Sequence, residues 1–243
     1  MPETIYTIPV NEAFDACAQD PKKGCPICRL YNKLEENELD LILGASMMEP
    51  DVRAKTNEQG FCRTHYDRMM ARKNRLGIAL ILESHLDKLR ADMDGSAVTR
   101  LLKGKDAPAT RRLDVLQNQC YLCNRIQDAL DKITDNAVYL WETDRAFREK
   151  VKKQPYYCLP HYAALIAQGK AQLSKKDFPT FFADLRDTNN TYFDSLREDI
   201  RLFIRKFDYR YDETPWGNAK DSVERAVRFL SADLHQEVKK DDK

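Results

Sequence analysis

Eight side chains in this sequence have the types and the spacing of metal ligands. Cys25-Pro26-Ile27-Cys28 is a C-x2-C pair, and Phe61-Cys62-Arg63-Thr64-His65-Tyr66 places a C-x2-H pair behind it. The same succession returns as Cys120-Tyr121-Leu122-Cys123 and Tyr157-Cys158-Leu159-Pro160-His161-Tyr162. Thiolate sulfur and imidazole nitrogen suit zinc, which takes four such donors in a tetrahedron. The expectation is two zinc ions, each held by three cysteines and one histidine. Cys25, Cys28, Cys62 and His65 would surround one, and Cys120, Cys123, Cys158 and His161 the other.

Other uses of these residues remain open. An iron–sulfur cluster can take a histidine ligand, although such clusters usually come with tighter cysteine runs. Six buried, inert thiols would also place cysteine where it is often found. Disulfides, Cys25–Cys28 for instance, would require an oxidising setting. A thioredoxin-type dithiol would need a βαβ context that neither C-x2-C has. The seventh cysteine, Cys17, stands outside both sets and reads as core. His85 and His235 have no ligand-spaced neighbours and read as surface or packing histidines.

The elements that must position these ligands also repeat. The spacers between the pairs are 33 and 34 residues long, and the modules start 95 and end 96 residues apart. At that offset Tyr31 falls on Ile126, Ile42 on Ala137, Leu43 on Val138, Val52 on Phe147 and Arg53 on Arg148. A duplicated unit is the simplest account. Ile27, Leu30, Tyr31, Leu34, Leu41, Ile42 and Ala45 recur at helical spacing, as do Ile126, Ala129, Leu130, Ile133, Ala137, Leu140 and Trp141. Short helices are expected at 51–57 and 144–152, and further helices at 64–73, 160–167 and 76–93. A helix of about 20 residues spans roughly 30 Å, and the rest of each spacer is expected to bring the chain back to its own C-x2-C. Cys28 and Cys123 would sit at helix starts, where free N–H groups and the dipole favour a thiolate. Three thiolates and a dication leave a formal charge of about −1. Lys22, Lys23, Arg29 and Arg63 could offset it in one module, and Arg125, Lys152 and Lys153 in the other.

After the second module, Phe178, Phe181, Phe182, Leu185, Tyr192, Phe193, Leu196, Ile200, Phe203, Ile204 and Phe207 predict one long helix or two stacked ones, entered at Ser174. Thr214-Pro215-Trp216-Gly217 breaks the pattern, and a last helix is expected over 219–234. No run of alternating residues predicts strands. The fold class is therefore all-α. Two duplicated helical modules lie at 1–95 and 113–173, a linker at 96–112 and a C-terminal helical region at 174–243.

Composition narrows the function further. The chain has 243 residues, a formal net charge of +1 and only 8 glycines. Near-neutrality argues against binding nucleic acid or acidic membrane through bulk electrostatics. No apolar run approaches the roughly 18 residues of a membrane span. The start, MPETIYTIPVNEAFD, shows no secretory pattern, so the expected compartment is the cytoplasm. No Gly-rich phosphate loop, HExxH or GxSxG occurs, and no catalytic residues are assigned. Glu35, Glu36 and Glu38 lack the ExxH partners of a di-metal carboxylate site and read as a solvated helix face.

At CPxC, Asp51-Val52-Arg53, Gly60-Phe61-Cys62-x-x-His65-Tyr66, Asn74 to Leu80, Asp208-Tyr209-Arg210 and Trp216, the chain resembles an uncharacterised bacterial family common in anaerobic Gram-positive bacteria. The resemblance spans most of the chain and implies no activity. The second module departs from the first, with CYLC for CPIC and no glycine before Tyr157.

A closed four-ligand zinc site is structural. The leading expectation is a zinc-stabilised helical scaffold that binds another macromolecule, a protein rather than nucleic acid. A zinc–thiolate redox or metal sensor is the second reading. Nucleic-acid binding, through the basic Arg100 to Arg112 segment with Tyr121, Tyr156 and Tyr157, is the third. Partner and oligomeric state are not legible.

Overall fold

The computed structural model describes residues 4–103, 108–211 and 213–237. Among them are eleven α-helices and no strand, so the protein is all-α. They run α1 (Thr7–Gln19), α2 (Pro26–Leu43), α3 (Pro50–Gln59), α4 (Arg63–Ala71), α5 (Arg75–Lys103), α6 (Pro108–Asn118), α7 (Tyr121–Thr143), α8 (Arg145–Lys152), α9 (Leu159–Gln172), α10 (Phe178–Arg205) and α11 (Ser222–Ser231). None is long and apolar enough to cross a membrane.

Local chemistry explains many of the ends. Asp144 caps α8 by accepting from the Ala146 N–H at 2.8 Å. Ser174 Oγ accepts from the Asp177 N–H at 3.1 Å at the entrance to α10, whose first turn holds Pro179. Pro50 likewise opens α3. The Phe178-to-Phe207 pattern forms one continuous helix as far as Arg205. The segment expected as a linker is mostly helical. Its first residues are the last turns of α5 and its final ones open α6, while 104–107 lie outside the described residues. Sequence reading missed α1, although Val10, Ala13, Phe14 and Cys17, all buried, have helical spacing.

Packing divides the chain into two compact units, Met1–Lys33 with Leu130–Lys243, and Leu34–Ala129. These follow packing rather than the sequence repeat, and both boundaries fall inside helices, α2 and α7. In the first unit α10 packs against α8, α9 and α11, and α1 against α8. Phe14 meets Phe147 at 4.8 Å between ring centres, and Trp141 meets Phe181 edge-on at 5.1 Å. Trp141 donates from Nε1 to Asp184 at 3.0 Å, so its one polar atom is not stranded. Tyr157, fully buried, donates to the Val151 carbonyl at 2.9 Å. In the second unit α3 packs on α5 and α6 around Leu39, Ile42, Phe61, Met69, Ile78 and Ile81. Each large apolar side chain buried this way contributes about 1.5–3 kcal/mol.

Candidate metal centres

Both C-x2-H pairs begin a helix. Cys62 is the N-cap of α4 and Cys158 that of α9. Each therefore sits one helical turn from the histidine that follows, so sulfur and ring nitrogen share an end of the helix. The segments that lead into these helices are pinned. Asn189, midway along α10, takes the Tyr157 N–H at 2.8 Å and donates to the Tyr157 carbonyl at 2.9 Å. Before α4, Gly60 holds φ at 63° and accepts the Tyr121 N–H at 2.9 Å, which sets Cys62 beside the start of α7.

The eight ligand-type residues do converge in two quartets, but not in the pairing expected from the sequence. One consists of Cys25, Cys28, Cys158 and His161, the other of Cys62, His65, Cys120 and Cys123. Each C-x2-C meets the C-x2-H of the other repeat, and each quartet lies within one compact unit. The helices between Cys120 and Cys158 are unequal in length. α7 has 23 residues, about 34 Å of rise, while the 8 residues of α8 return about 12 Å. Residues 153–157, even fully extended, add only about 16 Å. Much of any return to Cys120 would fall to short connections, and Cys158 meets Cys25 and Cys28 instead.

The spacing within each quartet suits a tetrahedral ion. His161 Nδ1 lies 3.1 Å from Cys158 Sγ, 3.3 Å from Cys28 and 3.8 Å from Cys25, and Cys28 and Cys158 are 3.5 Å apart. His65 Nδ1 lies 3.2 Å from Cys62 and 3.3 Å from both Cys120 and Cys123, with Cys62 and Cys123 3.8 Å apart. A zinc tetrahedron with Zn–S of about 2.3 Å and Zn–N of about 2.0 Å has edges of about 3.5–3.8 Å. The quartets are slightly tighter than that and far wider than the roughly 2.05 Å of a disulfide. All seven cysteines are free thiols.

Protonation shows what such crowding requires. Burial opposes ionisation of Cys25, yet hydrogen bonds with Cys158, Cys28 and His161 hold its thiol well below the ordinary value. Cys28 is pushed up by its hydrogen bonds to Cys158 and Cys25, and Cys158 by its bond to Cys25. In the other quartet, hydrogen bonding to Cys123 brings Cys120 down to about 3, and Cys123 rises because of Cys120. Burial works against a charged His65, but Cys120 and Glu35 raise it to about 10. Hydrogen bonding thus favours Cys25 and Cys120 as thiolates, and a cation among the sulfurs would favour further ionisation. Either quartet could hold a metal ion.

The quartets differ in what surrounds them. Glu35 and the His65 ring are wholly buried, and Glu35 Oε1 lies 3.1 Å from His65 Nε2. Its other oxygen lies 3.1 Å from Arg68 Nε, and Arg68 and Arg72 continue to Glu36 at 2.8 and 2.6 Å. With a metal bound, the carboxylate would keep the ring proton on Nε2 and leave the Nδ1 lone pair to the ion. This corrects the expectation of a solvated Glu35–Glu38 face. Glu36 joins the arginines, and Glu38 accepts from Arg125 at 2.6 Å. The signal was present, since Cys28, Asn32, Glu35, Leu39 and Ile42 form one buried helical stripe of α2. Leu130 occupies the repeat position corresponding to Glu35. Of the other expected charges, Arg63 is exposed and paired with Asp67 at 2.9 Å. Cys17 is fully buried, and burial pushes its thiol up to about 12. His85 is buried and hydrogen-bonded to the Asn57 carbonyl at 3.0 Å.

Fold and site together define an all-α protein with two cysteine–histidine quartets, each of which could hold a metal ion. The chain belongs to a family of unknown function (DUF6062), whose model matches residues 1–237. No curated protein and no solved structure matches it.

Proposed function

We propose that the chain is a zinc-stapled helical scaffold, with one structural zinc ion in each quartet, that serves as a binding platform for another protein. The observation that carries this reading is the convergence of three Sγ atoms and one Nδ1 in each quartet, all within 4.8 Å of one another. Four protein donors leave no position for a substrate or water, which is the character of a structural site. The spacing suits a single ion better than an iron–sulfur cluster, whose several irons would hold their ligands farther apart. Each ion would tie residues about 60 to 130 positions apart in the chain, a long loop to close without a cross-link. Structural zinc contributes on the order of 10 kcal/mol in small folds.

A protein partner is favoured by exposed apolar side chains. Val223, Val227 and Leu230 lie at helical spacing on α11, and Ile204 and Phe207 end the α10 pattern in the open. Tyr121, Tyr156 and Tyr157 are buried and so are not available to stack on bases. Most of the Arg100–Arg112 segment lies outside the described side chains, and Arg112 itself pairs with Asp92 at 3.0 Å. The reading sets the protein in a bacterial cytoplasm, where thiolates stay reduced.

The test is elemental analysis followed by chelation. Purified protein should carry two zinc ions per chain, and stripping them should lower both helicity and melting temperature. A stripped chain that keeps its full circular dichroism and melting point would refute the scaffold role.

A further inference from the structure

The two quartets present their sulfurs to solvent very differently. In the first, Cys25, Cys28, Cys158 and His161 are all buried. A cavity of about 500 Å³ borders Cys25 and Cys28, yet they are only 2% and 4% exposed. The segment after α11 covers them. The Asp233 N–H points at Cys28 Sγ at 3.4 Å. Asn32, one turn beyond Cys28 on α2, donates to the Asp233 carbonyl at 2.9 Å and accepts the Gln236 N–H at 3.2 Å. The His235 ring lies edge-on against Tyr31 at 5.7 Å.

Among the described residues, two thiols of the second quartet are left partly open. His65 and Cys120 are buried, but Cys62 and Cys123 are partly exposed. These two are also neighbours, with sulfurs 3.8 Å apart. Thiolates react with oxidants according to access and charge, so the pair that solvent reaches is also a pair able to join.

We infer that the Cys62–Cys123 pair is a site of oxidative modification by hydroperoxides, and that its reaction releases the metal ion of that quartet while the Cys25 quartet keeps its own. The inference rests on the proposed zinc occupancy. One thiolate of the pair attacks the terminal peroxide oxygen, the O–O bond breaks, and alkoxide (hydroxide from hydrogen peroxide) leaves, giving a sulfenic acid. The second thiolate then attacks that sulfur, the Sγ–Sγ bond forms, and hydroxide leaves. Two electrons pass from the sulfurs to the peroxide, and the dication departs because two of its four ligands are gone. Cys120 and His65 remain in place, His65 held by Glu35, so a thiol reductant restores the quartet.

The experiment treats the full-length, metal-loaded protein with dilute hydrogen peroxide. It follows released zinc with a chromophoric chelator and maps disulfides by mass spectrometry. The expected result is loss of one ion of two, a Cys62–Cys123 disulfide, and rebinding after reduction. A Cys123→Ser chain should show neither the disulfide nor the fast release; the peptide map of the wild-type chain stands even if that variant folds poorly. Two ions bound but released together, released first from the Cys25 quartet, or not released at all, would overturn the inference and leave the zinc reading intact. Protein purified without metal would overturn both.

Discussion

Replacing Glu35 with glutamine should weaken metal binding at one quartet only. The carboxylate is ion-paired through its two oxygens, with His65 Nε2 at 3.1 Å and with Arg68 Nε at 3.1 Å, and Glu35 is entirely buried. Glutamine offers one acceptor and one NH2 group, so one of the two donors must face another donor. A lost hydrogen bond to a charged group costs about 1.5–3 kcal/mol. Where the loss falls on His65, the ring is less basic and less well aimed at the ion, and affinity should drop about 10–100-fold. Leu130 stands at the equivalent repeat position, so the Cys25 quartet gains nothing from such a carboxylate and should be untouched. Competition with a chelator of known affinity would resolve two binding steps in the native chain and show one of them displaced in Glu35→Gln. Equal weakening of both steps would mean that the substitution acts through global stability. An unchanged titration would mean that Glu35 does not orient the ligand.

The exchanged pairing has its own signature. Cys25→Ser and Cys158→Ser should each abolish the same zinc ion, and Cys62→Ser and Cys120→Ser the other. Elemental ratios near one in all four chains, with the double variant Cys25→Ser/Cys158→Ser still holding one ion, would bear this out; a ratio near zero in that double variant would favour pairing within each repeat. In metal-free protein, His65 is raised from 6.5 to about 10, so the stability it contributes is complete below about 6.5 and disappears as pH rises through about 10. Cys120 is lowered from 9.0 to about 3, so its contribution is complete above about 9 and disappears as pH falls through about 3. The two slopes offset each other between about 6.5 and 9. Denaturation midpoints of the stripped chain should therefore form a plateau there and decline on both sides, and a monotonic trend would contradict the Cys120–His65 ion pair.

The helical class was legible because periodicity is local. Ile126, Ile133, Ala137, Leu140 and Trp141 mark the buried face of α7 in the order the chain presents them, and all are buried. The face of α2 was harder to read. Asn32 and Glu35 interrupt its apolar stripe, and a polar residue looks solvated until its partners are known. Glu35 finds those partners in His65 and Arg68, which lie on α4. The strap over Cys28 was equally hidden, since Asn32 and Asp233 are about 200 positions apart.

Residue types and short spacings by themselves picked out the eight residues that come together, because C-x2-C and C-x2-H each place two donors about one turn apart whatever the rest of the chain does. Which pair meets which was decided only in three dimensions. It depends on where tertiary packing carries the chain after each C-x2-C, and a repeat in sequence carries no information about that path.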